Sequence, residues 1–132
     1  MSYAIAWIVA AVVFLGMDAV WLTVMTQRLY RPLLGDLLAP NTSLPAAAVF
    51  YLLYISGLIY FAVAPALERG GTGRAAFSGL FFGLVAYATY DLTNQATLRG
   101  WDVRITLADI AWGMFVSATA ATVAYLAAAR FR

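Results

Sequence analysis

The stretch YAIAWIVAAVVFLGMDAVWLTVM, residues 3–25, is apolar almost from end to end and contains one charged residue, Asp18. As an α-helix, a run of this length crosses a hydrocarbon core of about 30 Å, because each residue adds about 1.5 Å. It lacks a basic N-terminal region and exceeds the length of a signal-peptide core, so we expect it to remain in the mature protein. The stretch therefore predicts a transmembrane helix.

Further runs of the same kind follow, so that the predicted helices cover about residues 4–25, 44–67, 75–98 and 105–129. Overall, 64% of the residues are hydrophobic and 11% are charged, whereas roughly a quarter of the residues are charged in a soluble domain. Short connections imply antiparallel neighbours. The sequence predicts an all-α integral membrane protein, with residues 1–132 forming a single transmembrane domain folded as a four-helix up-down bundle.

The segment TQRLYRPLLGDLLAPNTSLP, residues 26–45, separates the first two runs and mixes leucines with charged residues. This pattern is typical of an amphipathic helix that lies in the membrane interface. Pro32 and Gly35 should limit its regularity, and Pro40 should end it. We therefore expect a short interfacial helix between helices one and two.

The composition also excludes several classes of function. The chain has no cysteine and no histidine, which removes disulfides, thiolate nucleophiles and nearly all zinc or copper sites. Only carboxylates and neutral oxygens remain as ligands, so we predict no metal site, and the sequence indicates no cofactor. The eight basic residues are scattered singly through the loops, which argues against nucleic acid as a partner.

The arginines divide evenly between the two predicted faces of the bundle. Four belong to the face of the first and third loops, and four to the face that carries the second loop and the termini. Only the N-terminal amine breaks the tie, and it favours cytoplasmic termini in a bacterial inner membrane. An even division also fits a protein that inserts in both orientations.

Three carboxylates fall at one level of the predicted bundle. In an up-down arrangement, Asp18 near the end of helix one, Asp91 near the end of helix three and Asp109 near the start of helix four share one leaflet. A charge at this depth costs at least about 2.5 to 3.5 kcal/mol. Protonation, a cation, a returning arginine such as Arg99 or Arg104, or tyrosine and asparagine hydrogen bonds would have to compensate.

Helix three has one face that combines glycines with polar residues. The face contains Gly79, Gly83, Tyr87, Tyr90, Asp91 and Asn94. Helix four has a matching stripe of Asp109, Gly113, Ser117 and Ala121. Antiparallel pairs whose residue numbers add to 200 set small residues opposite one another and bring Asp91 level with Asp109, so we predict that these faces pack together.

Three residues of this level, Asp109, Trp21 and Trp112, have an ordinary structural interpretation as well as a functional one. Asp109 and Thr106 form the sequence T-x-x-D, which is typical of a helix-capping box. Trp21 and Trp112 each follow an aspartate by three residues, and tryptophan is common at membrane interfaces. Alternatively, both tryptophans are walls of a pocket that Tyr54 and Tyr90 close.

The segment YDLTNQATLRGW, residues 90–101, together with D-I-A-W-G and M-D-A-V-W-L elsewhere in the chain, resembles a bacterial family of small four-helix membrane proteins catalogued as domain of unknown function 2177. The resemblance covers nearly the whole chain. It implies a four-helix fold and directs attention to Asp18, Asp91, Asn94, Asp109 and Trp112, but it implies no activity.

From the residues themselves we predict an inner-membrane protein with a carboxylate-lined pocket that binds a proton, a cation or the polar head of a small amphiphile, and whose partner is membrane lipid. The predicted ligand-binding residues are Asp18, Trp21, Tyr54, Tyr87, Tyr90, Asp91, Asn94, Asp109 and Trp112. One alternative is a lipid-modifying enzyme that uses paired aspartates for acid and base catalysis. Another is an accessory subunit of a larger membrane complex or a homo-oligomer.

Overall fold

The computed structural model describes residues 1–132, and all its regular elements are helical. They are α1 (Ser2–Met25), a π-helical turn (Thr26–Tyr30), α2 (Arg31–Leu34), a 3₁₀ turn (Gly35–Leu37), α3 (Leu44–Leu58), a second π-helical turn (Ile59–Val63), α4 (Ala64–Arg69), α5 (Thr72–Thr97) and α6 (Val103–Ala129).

These elements join into four continuous helices that are long and apolar enough to cross a membrane, namely Ser2–Leu37, Leu44–Arg69, Thr72–Thr97 and Val103–Ala129. The prediction of an all-α four-helix membrane fold is confirmed. Pro65 lies just after the second π-helical turn inside the continuous helix Leu44–Arg69, and a proline inside a helix removes one backbone hydrogen bond.

The segment after α1 is helical, but it continues α1 directly and does not form a separate helix. The N–H of Arg31 reaches back to the carbonyl of Thr26, which is the wider hydrogen-bonding pattern of a π-helical turn. Gly35 then adopts a φ of 53°, a left-handed value that glycine accepts without strain. The location of this segment at the membrane surface stays a prediction.

The fourth helix, α6, is the centre of the bundle. Its longest interface is with α5, and its next longest is with α1. The helix that begins with α3 packs on α5 mainly through the second π-helical turn and makes few contacts with α1. As a result, the start of α3 stands away from the rest, and all of residues 44–50 except Ala47 are exposed.

Helices α5 and α6 approach so closely that their backbones touch. A Cβ atom placed on Gly79 would lie 2.7 Å from the Cβ of Ala121 and 2.8 Å from the carbonyl oxygen of Ser117, and one on Gly83 would overlap the backbone of Gly113. The Tyr87 ring covers Gly113 in the same way. The predicted register of small residues is therefore confirmed along this interface.

The start of α6 differs from the predicted capping box. The N-cap residue is Asp102, whose side chain accepts a hydrogen bond from the Arg104 N–H. The Arg104 guanidinium also pairs with Asp102 at 2.8 Å, and these hydrogen bonds lower the pKa of Asp102 to about 2. Asp109 therefore lies well inside the helix, and the T-x-x-D interpretation is wrong because the helix begins earlier than Thr106.

Replacing Gly83 with leucine should force α5 and α6 apart, because the new side chain has only the α6 backbone to occupy. Overpacking of this kind costs about 1 to 3 kcal/mol, so we expect a lower melting temperature in detergent. The matched control is Gly16→Ala, since no atom lies within 4 Å of the added Cβ. The control should leave stability unchanged or raise it, and equal melting of the two variants would contradict this packing.

Candidate functional site

The carboxylate level contains a cavity of about 350 Å³ that all four transmembrane helices line. Ten of its twelve lining residues are hydrophobic or aromatic, and the other two are aspartates. The lining residues are Asp18, Trp21, Leu22, Tyr30, Phe50, Tyr51, Tyr54, Ala86, Tyr87, Tyr90, Asp109 and Trp112. Seven of the nine residues predicted for the site thus surround one space, and Asp91 and Asn94 do not.

Asp18 is held by donors from two other helices. The Trp112 Nε1–H donates to its Oδ1 at 3.0 Å, and the Tyr51 hydroxyl donates to its Oδ2. The residue is 7% exposed. Both carboxylate oxygens of Asp18 therefore have a donor, and the side chain is fixed at the wall of the cavity.

Asp109 ends a second hydrogen-bonded chain. The Trp21 Nε1–H donates to the Tyr30 hydroxyl oxygen at 3.0 Å, and the Tyr30 hydroxyl donates to Asp109 Oδ1. Like Asp18, Asp109 is almost completely buried, at 9% exposure. Its single direct donor leaves it with fewer partners than Asp18, although both carboxylates line the same cavity.

The two aspartate and tryptophan pairs are arranged reciprocally across α1 and α6. Trp112 follows Asp109 by one turn and donates a hydrogen bond to Asp18. Trp21 follows Asp18 by one turn and is connected to Asp109 through the Tyr30 hydroxyl. The two indole rings stack face to face, with centroids 4.6 Å apart and planes 8° apart. Both tryptophans line the cavity.

Asp91 lies outside the cavity and is completely buried. Neither carboxylate oxygen of Asp91 has a hydrogen-bond partner. The ionisable group that interacts electrostatically with Asp91 is Asp109 of the neighbouring helix. The only salt bridge in the structure joins Arg104 to Asp102, so among the possible compensations for Asp91 a returning arginine is absent. Arg104 lies in the first turn of α6, where it pairs with the N-cap residue Asp102.

The predicted tyrosines occupy different positions around the cavity. Tyr54 is buried and shares a hydrogen bond of 2.7 Å with Ser117, so it does not bind an aspartate. Tyr87 packs on Gly113, and Tyr90 is 57% exposed with its ring against Trp101. Asn94 is half-buried one turn beyond Asp91. The three tyrosines line the cavity, but none of them donates a hydrogen bond to an aspartate.

Tyr30 and Tyr51 are the two hydroxyl donors to the aspartates, and the predicted site did not include them. In a regular helix, Tyr30 would point about 120° away from Asp18, since successive residues turn by about 100°. A π-helical turn accommodates one extra residue, which reduces this difference to about 20° and returns Tyr30 to the Asp18 face. Tyr51 lies at the level of Asp18, but it belongs to no motif in the sequence.

A second cavity, of about 260 Å³, adjoins the first on the side of the loops. It shares Leu22, Tyr30, Tyr90 and Asp109 with the deeper cavity and extends past Leu34, Leu38 and Trp101. Asp109 therefore lines both spaces, whereas Asp18 lines only the deeper one.

Comparison with known proteins gives one family. A family model described as predicted membrane protein (DUF2177) matches residues 3–126. The chain belongs to this family. No curated protein and no solved structure matches it. Membership agrees with the resemblance seen in the sequence, and the family description adds no ligand, so any chemical role must come from the site.

The site of this DUF2177 chain combines negative charge with aromatic faces. Eight of the twelve lining residues are aromatic and none is basic. No group of three or more acidic side chains is placed to hold a metal ion. Aromatic faces attract cations, most strongly where water is excluded, so the arrangement suits a positively charged group with apolar surface.

Asp91 should carry a proton at neutral pH, because an ionised carboxylate without a donor is very costly at this depth. Infrared difference spectroscopy should show a protonated carboxyl band that disappears in Asp91→Asn. Asp36→Asn is the control, since Asp36 is exposed, and it should keep the band. A band of equal strength in Asp91→Asn would assign the proton to a different carboxyl group.

Proposed function

We propose that this protein of the DUF2177 family binds the positively charged head of a small amphiphile in the deeper cavity, as a binding or transport protein of the membrane. The observation that carries the proposal is the pair of buried carboxylates, Asp18 and Asp109, inside an aromatic lining that has no basic residue. Two acidic groups would repel an anionic head, and a cation would relieve the cost of burying them.

The aromatic lining favours an organic cation over a metal ion. Calcium and magnesium take about six or more oxygen ligands, whereas here the indole rings of Trp21 and Trp112 present stacked apolar surfaces beside the carboxylates. Recognition of ammonium groups commonly uses such aromatic walls. The cavity of about 350 Å³ is at the small end of the usual range of roughly 300 to 1,000 Å³, which fits a head group rather than a whole lipid.

An opening between α1 and α3 would let the tail of an amphiphile extend into the bilayer. Leu22 and Phe50 line the cavity and are also 43% and 45% exposed on the outside of the bundle. The loose packing of the N-terminal half of α3 supports access to the cavity from the lipid side. The charged head group would then lie beside the carboxylates of the cavity, and the apolar tail would lie in the hydrocarbon of the bilayer.

Dodecyltrimethylammonium is a suitable probe, and its binding to the protein in maltoside micelles can be followed by tryptophan fluorescence. We expect saturable binding that Asp18→Asn and Asp109→Asn each weaken by at least about tenfold, or about 1.4 kcal/mol. Asp36→Asn should bind as the wild type does, and dodecanol, which has no charge, should not saturate the site. Equal binding of dodecanol and the ammonium probe would contradict the proposal.

We also infer that the protein resides in a bacterial inner membrane with both termini in the cytoplasm. The arginines divide four against four between the two faces, and the N-terminal amine adds positive charge to the face of the termini.

The lack of native cysteine makes this orientation directly testable. Asp36→Cys and Arg69→Cys place single exposed thiols on opposite faces of the bundle. A membrane-impermeant maleimide added to spheroplasts should label the Asp36→Cys variant and leave the Arg69→Cys variant unlabelled. The reverse pattern would invert the orientation, and labelling of both variants would show insertion in both directions.

A further inference from the structure

We propose that the pair formed by Asp91 and Asp109 exchanges one proton for each cation that enters the deeper cavity. This inference rests on the proposed function and adds a coupling to it. It starts from two structural facts. Asp91 is a completely buried carboxyl group without a hydrogen-bond partner. The contacts of Tyr87 with Gly113 and of Thr106 with the Asp91 carbonyl set it level with Asp109 across the α5–α6 interface, and Asp109 lines the cavity.

Two neighbouring carboxyl groups in a medium of low dielectric cannot both ionise without a counter-charge. With the cavity empty, the pair carries one proton and one negative charge. A monovalent cation next to Asp109 supplies the missing counter-charge, so the second carboxyl group can ionise. The O–H bond of the protonated carboxyl breaks, its electron pair stays on the carboxylate, and the proton leaves. One positive charge replaces another, and the net charge of the buried site stays constant.

The surroundings of the pair offer no other source of positive charge. The titratable side chains around it are tyrosines of the first and third transmembrane helices and, across the deeper cavity, Tyr51, Tyr54 and Asp18. The nearer tyrosines are Tyr30, Tyr87 and Tyr90. None of these groups is basic, so a cation or a proton must compensate the pair.

The two cavities give the cation and the proton separate routes. The cation reaches Asp109 through the deeper cavity, whose lining includes the outward-exposed residues Leu22 and Phe50. The second cavity also contains Asp109 and extends past Leu38 and Trp101 towards the loops. Tyr30 lies at the junction, with its hydroxyl on Asp109. A proton released by the pair therefore has a route past the Tyr30 hydroxyl into the second cavity, separate from the bound cation.

Proton release and binding can be measured in the same sample. Dodecyltrimethylammonium is added to the protein in weakly buffered maltoside micelles with a pH-indicator dye. We expect about one proton released for each cation bound. Because the linkage is reciprocal, the Kd of the cation should fall by about tenfold for each unit that the pH is raised, over the range in which the protein releases the proton.

Three variants assign the proton. Asp91→Asn should bind the cation without proton release and with a Kd independent of pH. Asp18→Asn should bind more weakly but still release one proton per bound cation, and Asp36→Asn should match the wild type. If Asp91→Asn does not fold, the pH dependence of the wild type decides alone.

Wild-type binding with no proton release and a constant Kd would overturn the exchange and leave the proposed function standing. Undiminished release from a folded Asp91→Asn variant would also overturn it. If the wild type does not bind the cation at all, the proposed function fails, and the exchange fails with it.

Discussion

Direct contact between the backbones of α5 and α6 determines where the polar groups of this protein lie. In lipid there is no hydrophobic drive for helices to associate, so close packing at small residues must supply it. Gly79 and Gly83 leave no room for a Cβ atom, and a shift of register would push a larger side chain into the opposing backbone. The interface therefore fixes Asp91 against α6 and Asp109 against α5, and it encloses one carboxyl group while leaving the other on the cavity.

The opposite side of α6 positions the other half of the site. The residues of α1 that are buried recur every fourth position, at Ala6, Ala10, Phe14 and Asp18, and this narrow face lies on α6. Its last member meets Trp112. A single central helix thus sets the positions of both cavity carboxylates, and the reciprocal tryptophans follow from the antiparallel direction of α1 and α6.

Much of the fold could be predicted because its causes are local in the sequence. The lengths of the apolar runs predict four transmembrane helices, and the spacing of the glycines predicts the register in which α5 and α6 pack. The level of Asp18 and Asp109 follows from the up-down topology. The start of α6 was misjudged because two capping signals, at Asp102 and Thr106, occur close together, and only the first one caps the helix.

The donors to the aspartates were harder to predict, for a different physical reason. Tyr30 belongs to a segment whose leucines and arginines indicate a surface helix, and the rule of one hundred degrees per residue places it on the wrong face. The burial of Asp91 depends on the packing of a neighbouring helix, because α6 covers the glycine-containing face of α5 to which Asp91 belongs. Helical periodicity describes a face, but it does not say whether the neighbour leaves a gap.

The π-helical turn at Thr26–Tyr30 has a consequence for how relatives of this chain should be aligned. Because the turn holds one residue more than an α-helix would, the number of residues between Asp18 and Tyr30 is itself part of the site. A homologue could keep both side chains and still lose the Tyr30 hydrogen bond through a one-residue deletion between them. An alignment that places gaps freely here would score two such proteins as equivalent, although one of them would turn its tyrosine away from Asp109.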